Sequence, residues 1–298
     1  MAVLLLFLLP SLALANIQVQ VSGKFNADDP SSMRVYTSGN QVGIISDEER
    51  NTFELNDNNL KNSVRSYFGL RPDDAFLRSP TPWGDLYKTY GWSQVARTLE
   101  PRNGKILKIT SKPVIVLEQI FENNSSKPAL FNVGISQTVE NTVSSSWSKG
   151  GELSVGQEIN YGFDIEVANG GGTTSLSYTS SFGENTEKSE SVTVGASSAM
   201  EILLQPGQVV VASLQATRGY IQVEIEYDAS LNGQSAVNYA DTFKGHHFWA
   251  LDIRAVMSSG GLSNSKVSKE TITIGFYSNS KVVVLDKNYG NKIMELEC

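Results

Sequence analysis

Histidine is the side chain whose protonation and metal chemistry operate near neutral pH, and this chain has two, adjacent at His246 and His247. Neighbours on a strand point to opposite faces, so the pair does not converge on one metal or one proton-transfer centre. Glu158 and Asp164 could be imagined as an acid–base pair. They belong, however, to the polar face of an alternating strand, where solvated acids are the simpler account. The chain has no H-E-x-x-H, no G-x-S-x-G and no paired cysteines. Gly170-Gly171-Gly172 lacks the lysine and following helix of a phosphate loop. No catalytic residue, metal site or cofactor is expected, and the chain does not read as an enzyme. Its one cysteine is Cys298, which excludes an intrachain disulfide and leaves a free thiol or an intermolecular bridge.

A different spacing carries the function. Ile159, Tyr161, Phe163, Ile165 and Val167 alternate with Glu158, Asn160, Gly162, Asp164 and Glu166. Asn169-Gly170-Gly171-Gly172 is a strong turn signal. Beyond it, Thr174, Leu176, Tyr178 and Phe182 alternate with Thr173, Ser175, Ser177, Thr179 and Ser181. A four-residue loop would pair Val167 with Thr174, Ile165 with Leu176, Phe163 with Tyr178, and Ile159 with Phe182. The apolar residues then share one face of a hairpin and the polar ones the other. A tilted transmembrane strand needs about 9–11 residues, which Ile159 to Val167 fits, with margin toward Leu153. The apolar face carries no charge. A single hairpin leaves unpaired edges in lipid, so copies of it must close a barrel and the chain must form a homo-oligomer. Glu158, Asp164 and Glu166 would line the lumen and favour cations. An ordinary hairpin with one buried face shows the same alternation. Gly150-Gly151 is a second candidate for the membrane tip.

The elements around this hairpin read mostly as strands. Residues 17–25 alternate like a strand, and Asn59 to Gly69 forms a helix with Leu60, Val64, Tyr67 and Phe68 on one face. Residues 70–104, with Pro72, Pro80, Pro82, Trp83, Tyr87, Tyr90 and Trp92, predict irregular structure packed by rings; those rings could also stack on a sugar or a lipid headgroup. Ile106 to Phe121 returns to strand character. From 131 the composition turns to Ser, Thr, Gly and Asn with a period of two, predicting one long strand over 131–147. Further strands are expected over 191–204 and 209–227, joined by Gln205-Pro206-Gly207, and near 246–257, 270–278 and 281–286. Helix signals are almost absent after 130. The expected organisation is an N-terminal lobe over 16–130 and a β-domain over 131–298, with the insertion hairpin at about 151–182.

Met1 to Ala15 reads as a secretory signal segment cleaved after Ala15. Asn123 and Asn124 head two overlapping N-x-[ST] sequons, candidate glycosylation sites in a secreted chain. Lys and Arg total 24 against 31 Asp and Glu, a formal charge of -7. That balance argues against a nucleic-acid partner and against general attraction to anionic lipid. Membrane binding would then need a local site or a receptor.

The stretch GFDIEVANGGGTTSLSYTSS (162–181) resembles the aerolysin-like β-pore-forming proteins. In that family a Ser/Thr-rich strand, an amphipathic insertion loop and a second Ser/Thr-rich strand follow one another. Here these are QTVENTVSSSWSKG (137–150), the segment 151–182 and GENTEKSESVTVGASS (183–198). QPGQVVV (205–211) stands where the family places a Pro-bearing link. TYGWSQVARTL and ILKITSKPVIV resemble the spherulin-like secreted branch, which includes storage, developmental, yolk and venom proteins. The resemblance implies a mainly β, elongated fold of long twisted antiparallel strands with a small α+β N-terminal lobe. It also implies a secreted protein that meets the target cell membrane through a receptor or lipid and assembles into a ring, commonly of seven. No receptor-binding module, activation peptide or protease site of that family is evident. A cytolytic toxin or venom component is the expected function. A non-lytic storage or yolk protein on the same fold is the alternative, and a sugar-binding module a third.

Overall fold

The computed structural model describes residues 17–26, 29–148, 158–167, 173–196 and 200–298. The expected signal segment with Ala15, and both candidate tips at Gly150-Gly151 and Asn169 to Gly172, lie outside the described residues. The first part of the chain forms β1 (Ile17–Phe25), β2 (Met33–Ser38), β3 (Gln41–Ile44), α1 (Asp47–Thr52), α2 (Asp57–Phe68), β4 (Asp74–Phe76), α3 (Pro82–Tyr90) and β5 (Ala96–Glu122). Then follow β6 (Ala129–Asn132), β7 (Ser136–Trp147), β8 (Glu158–Val167), β9 (Thr173–Ser181), β10 (Thr186–Gly195) and β11 (Glu201–Leu204). The chain ends with β12 (Val209–Asn232), β13 (Gln234–Phe243), β14 (His246–Asp252), α4 (Ile253–Ser259), β15 (Ser265–Asp286) and β16 (Lys292–Glu297). The protein is mainly β, as the sequence implies.

Two compact units are interleaved along the chain. One takes 38–100 and 229–266 with Ile17; the other takes 18–37, 101–228 and 267–298. The expected boundary at 130 falls inside the second unit, because β1 and most of β5 pair with strands from the later part of the chain.

In the first unit, Ser46 and Glu49 form a reciprocal capping box at the start of α1. Glu49 Oε1 also accepts a 2.7 Å bond from Arg97 Nε, and both side chains are almost wholly buried. Asn56 caps α2, and Gly69 closes it with φ of 106°, a left-handed conformation suited to glycine. Leu60 and Val64 are buried as expected, whereas Tyr67 in the last turn is exposed. The expected irregular stretch contains α3, broken at Trp83, Gly84 and Asp85, whose φ values are positive. Trp83 leans on Phe76 and Phe248, and Tyr90 stacks on Trp92 at 4.7 Å. The strand expected to run to 257 stops at Asp252, which caps α4 by accepting from Ala255 N. Ile253, Val256 and Met257 bury one face of that helix; their i, i+3, i+4 spacing overrides the β-branched character of Ile253 and Val256.

In the second unit the strands run in the order β10-β7-β15-β12-β5, with β16 on the free part of β15. The single strand expected over 131–147 is divided. Gly134 N donates to Asn132 Oδ1, and the turn this makes separates β6 from β7. The strand expected over 191–204 breaks at the same level, where Gly195 has φ of 93°. The β7–β10 ladder therefore ends at Ser136–Gly195, and the β6–β11 ladder starts at Asn132–Glu201. Val133, Ile135, Leu204, Val210, Leu214, Val282 and Val284 fill the core at this end. Gln205-Pro206-Gly207 forms the expected turn, with Gln208 N donating to Gln205 O and a left-handed Gly207.

Replacing Arg97 with alanine would leave Glu49 buried and unpaired. The expected loss is about 3–5 kcal/mol, measurable as a lower urea midpoint with an unchanged slope.

Candidate functional site

β8 and β9 form an antiparallel hairpin whose bases lead into β7 and β10, and those two strands pair directly with each other over ten residue pairs. The chain thus leaves a paired sheet, makes the hairpin and returns to the same sheet. β8 also pairs with β1, giving the sheet order β2-β1-β8-β9. Asp164 Oδ2 accepts a 2.7 Å bond from Gln20 Nε2 on β1.

The register differs from the expected one. Tyr161 faces Tyr178, Phe163 faces Leu176, Ile165 faces Thr174 and Ile159 faces Ser180. This is a shift of two residues from the pairing a four-residue loop would give. A shift of two leaves every side chain on its face, so the alternation that predicts the faces is blind to it. Phe182 consequently lies beyond the ladder, packed against Trp147 at 4.4 Å and Tyr227 at 5.4 Å.

The two faces have opposite surroundings. Ile159, Tyr161, Phe163, Ile165, Leu176, Tyr178 and Phe182 are all buried, none more than 7% exposed. Val167 is a strand residue of β8. Glu158, Asp164 and Glu166 on the opposite face are exposed. The seat of the hairpin includes Tyr227 of β12, and nearby Phe276 of β15 meets Phe25 of β1 edge-on at 4.9 Å. Gly219 permits that contact, since a Cβ there would stand 2.5 Å from the Phe276 ring.

At the centre of the seat is a carboxyl group. Glu270 of β15 is fully buried. Its Oε1 accepts from Ser145 Oγ of β7 at 2.5 Å, and its Oε2 accepts from Tyr161 OH of β8 at 2.7 Å and Tyr227 OH of β12 at 2.9 Å. Burial raises the pKa of Glu270, and the three hydroxyl donors only partly offset this. Burial also pushes the Tyr161 and Tyr227 phenols well above their usual range, so both stay neutral. Glu270 is not among the residues expected from the sequence to carry function. The signal was present: Glu270 shares parity with Ile272, Ile274 and Phe276, which puts an acid on the buried face of an alternating strand.

The other candidates separate clearly. Asn123 is buried, and its Nδ2 donates to the carbonyls of Lys127 at 2.9 Å and Leu204 at 2.7 Å, whereas Asn124 is exposed. His247 Nδ1 donates to Tyr239 O at 2.8 Å, and His246 packs on Trp249. Among the described residues there is no cluster of metal-ligating side chains. Cys298 is a free, exposed thiol.

This arrangement, a mainly β chain with an amphipathic hairpin set between two paired strands, is that of an aerolysin-like β-pore-forming toxin. Residues 92–285 match the profile of the family described as Clostridium epsilon toxin ETX/Bacillus mosquitocidal toxin MTX2, and the chain belongs to that family. It is similar to U-megalopygitoxin(8)-Mc8 of Megalopyge crispata, 39% identical over 283 residues that cover 93% of this chain and 97% of the relative. U-megalopygitoxin(8)-Mo12 of Megalopyge opercularis is 38% identical with the same coverage. Among solved structures, the parasporin-2 toxin of Bacillus thuringiensis superposes with a TM-score of 0.63 at 15% identity, over 87% of this chain and all of that one. The aerolysin-like resemblance read from 162–181 is thereby shown.

The docked face should behave as core. Phe163→Ala is expected to cost about 3–5 kcal/mol in urea unfolding, and Glu166→Gln on the exposed face less than about 0.5 kcal/mol.

Proposed function

We propose that this chain is a secreted pore-forming toxin that assembles on a target membrane and inserts the 151–182 hairpin into a shared β-barrel. The observation that carries the proposal is the two-sided hairpin. Its apolar face is buried against the body, its acidic face is in water, and the chain belongs to a toxin family. In water the apolar face needs the seat that the second unit supplies. In lipid the same face needs no seat, and a charge there would cost about 2–4 kcal/mol at the midplane.

β8 has ten residues and β9 nine, close to the length a tilted spanning strand requires. Unpaired edges cannot enter lipid, so insertion requires several protomers, and the resemblance to aerolysin-like proteins suggests a ring of about seven. Ile159, Tyr161, Phe163, Ile165, Val167, Leu176, Tyr178 and Phe182 would face lipid. Glu158, Asp164 and Glu166 would form acidic rings in the lumen and favour cations. The 16–130 segment would supply contact with a receptor or lipid, its exposed Trp83 and Tyr90 being the candidates. A glycan would sit on Asn124, because one on Asn123 would break the turn that its amide holds.

Ile165→Lys would disturb the docked form as well as the inserted one, since Ile165 is fully buried. The exposed acidic face gives a cleaner test. Residues 16–298 added to a panel of cells should release potassium and leave a heat-stable oligomer on the membranes. In planar bilayers the pore should prefer cations, and neutralising Glu158, Asp164 and Glu166 together should reduce that preference. Anion preference in the unmodified pore would overturn the lumen assignment. No release from any cell type, even after mild proteolysis, would favour a non-lytic storage protein on the same fold.

A further inference from the structure

We propose that Glu270 is a proton-operated latch for the hairpin: protonated, it holds Tyr161 and the β8–β9 pair down on the sheet, and ionised, it loosens them. The proposal rests on the reading of β8–β9 as the inserting hairpin.

The geometry makes Glu270 the point where four strands meet. It lies on β15 and takes hydroxyls from β7, β8 and β12. Of these, only the Tyr161 hydroxyl belongs to the hairpin, so this bond ties the hairpin's apolar face to the carboxyl group. The titratable groups that face Glu270 are Tyr161 of β8, Tyr178 of β9 and Tyr227 of β12. β7 contributes Ser145, and Trp147 stands opposite Glu270 in the ladder. Among the described residues, no lysine, arginine or histidine acts on it. The adjacent Lys269 is partly exposed and pairs with Glu224 and Glu226.

An anion buried without a cation is costly. Three hydroxyl donors soften the cost and do not remove it. The burial depends on the hairpin, because lifting β8 returns the carboxyl to water. The docked form therefore holds the proton more tightly than the released form. Docking is strongest below the ordinary carboxylate range and weakens as pH rises through the raised value of the docked form. Above that value the loosening is complete and constant. Acid holds the hairpin, and a rise in pH eases it.

The test uses the soluble full chain without membranes. Hydrogen exchange is followed at the amides of 158–167 and 173–181 between about pH 4.5 and 8.5, with the intrinsic pH dependence of exchange removed. The expected result is that hairpin protection falls about tenfold or more across this range, the consequence of each tenfold change in proton affinity. Glu270→Gln imitates the neutral acid in shape and should keep the hairpin protected at every pH. Tyr161→Phe keeps the ring and removes the hairpin's hydroxyl, so it should lower hairpin protection by about tenfold even in acid. A flat profile in the unmodified chain, or the unmodified profile in Glu270→Gln, would overturn the latch. Potassium release measured in parallel separates the two ideas. A pH-dependent hairpin without release keeps the latch and removes the pore, and release with a flat hairpin does the reverse.

Discussion

Side chains such as Ile159, Phe163 and Ile165 each lose about 1.5–3 kcal/mol when they are left in water, so the hairpin must be covered while the protein is soluble. Much of the second unit follows from that constraint. β1 pairs with the outer edge of β8, and β12 and β15 bring Tyr227 and Glu270 to the apolar face. β7 and β10 pair with each other where the hairpin leaves them, so the sheet stays closed whether or not the hairpin lies on it. The cover is assembled from segments far apart in the sequence, which explains why the second unit takes three separate stretches of chain.

A seat made wholly of hydrocarbon would hold the hairpin equally well under all conditions. Where the hairpin meets its seat, two of the aromatic residues are tyrosines, Tyr161 of the hairpin and Tyr227 beneath it, and a buried phenol must find a partner. Glu270 supplies that partner to Tyr161 and Tyr227 at once. Well-packed apolar residues in place of such a group often give a more stable protein. The carboxyl group thus exchanges some stability for dependence on its own charge state. Its position opposite Trp147, the last residue of β7, places that dependence near the base of the hairpin.

The sequence made the faces of the hairpin legible and left its register open. Alternation at period two assigns Ile159, Tyr161, Phe163 and Ile165 to one side without ambiguity, yet any shift by two residues satisfies it equally. The ladder itself pairs Tyr161 with Tyr178 and Phe163 with Leu176. The same limit explains the long strands that divide. The side-chain oxygen of Asn132 takes the amide of Gly134, and the opposing strand turns at Gly195, so the two breaks are a property of the pair rather than of either segment. α4 was concealed by β-branched residues whose helical spacing matters only once Asp252 caps the first turn. Glu270 was readable from parity alone. What parity does not reveal is the set of hydroxyls around it, which come from three other strands.

The docked hairpin and a membrane barrel make the same demand on the apolar face and opposite demands on the strand edges. In the soluble form β8 is paired on both sides, with β1 and β9, and β9 is the edge of its sheet. An exposed edge invites pairing with another chain, and proteins commonly guard such edges with lysine. Lys188 of β10 does this here: its Nζ donates to the carbonyl of Thr179 at 3.3 Å and lies over the Tyr178 ring. In a pore, β9 can gain a neighbour without breaking a ladder, whereas β8 must first give up β1 and the Gln20–Asp164 bond. If the proposed insertion occurs, that asymmetry sets its order. The β9 edge would be the side from which a second protomer begins to pair, and release of β8 from β1 would be the step that the new backbone hydrogen bonds must offset.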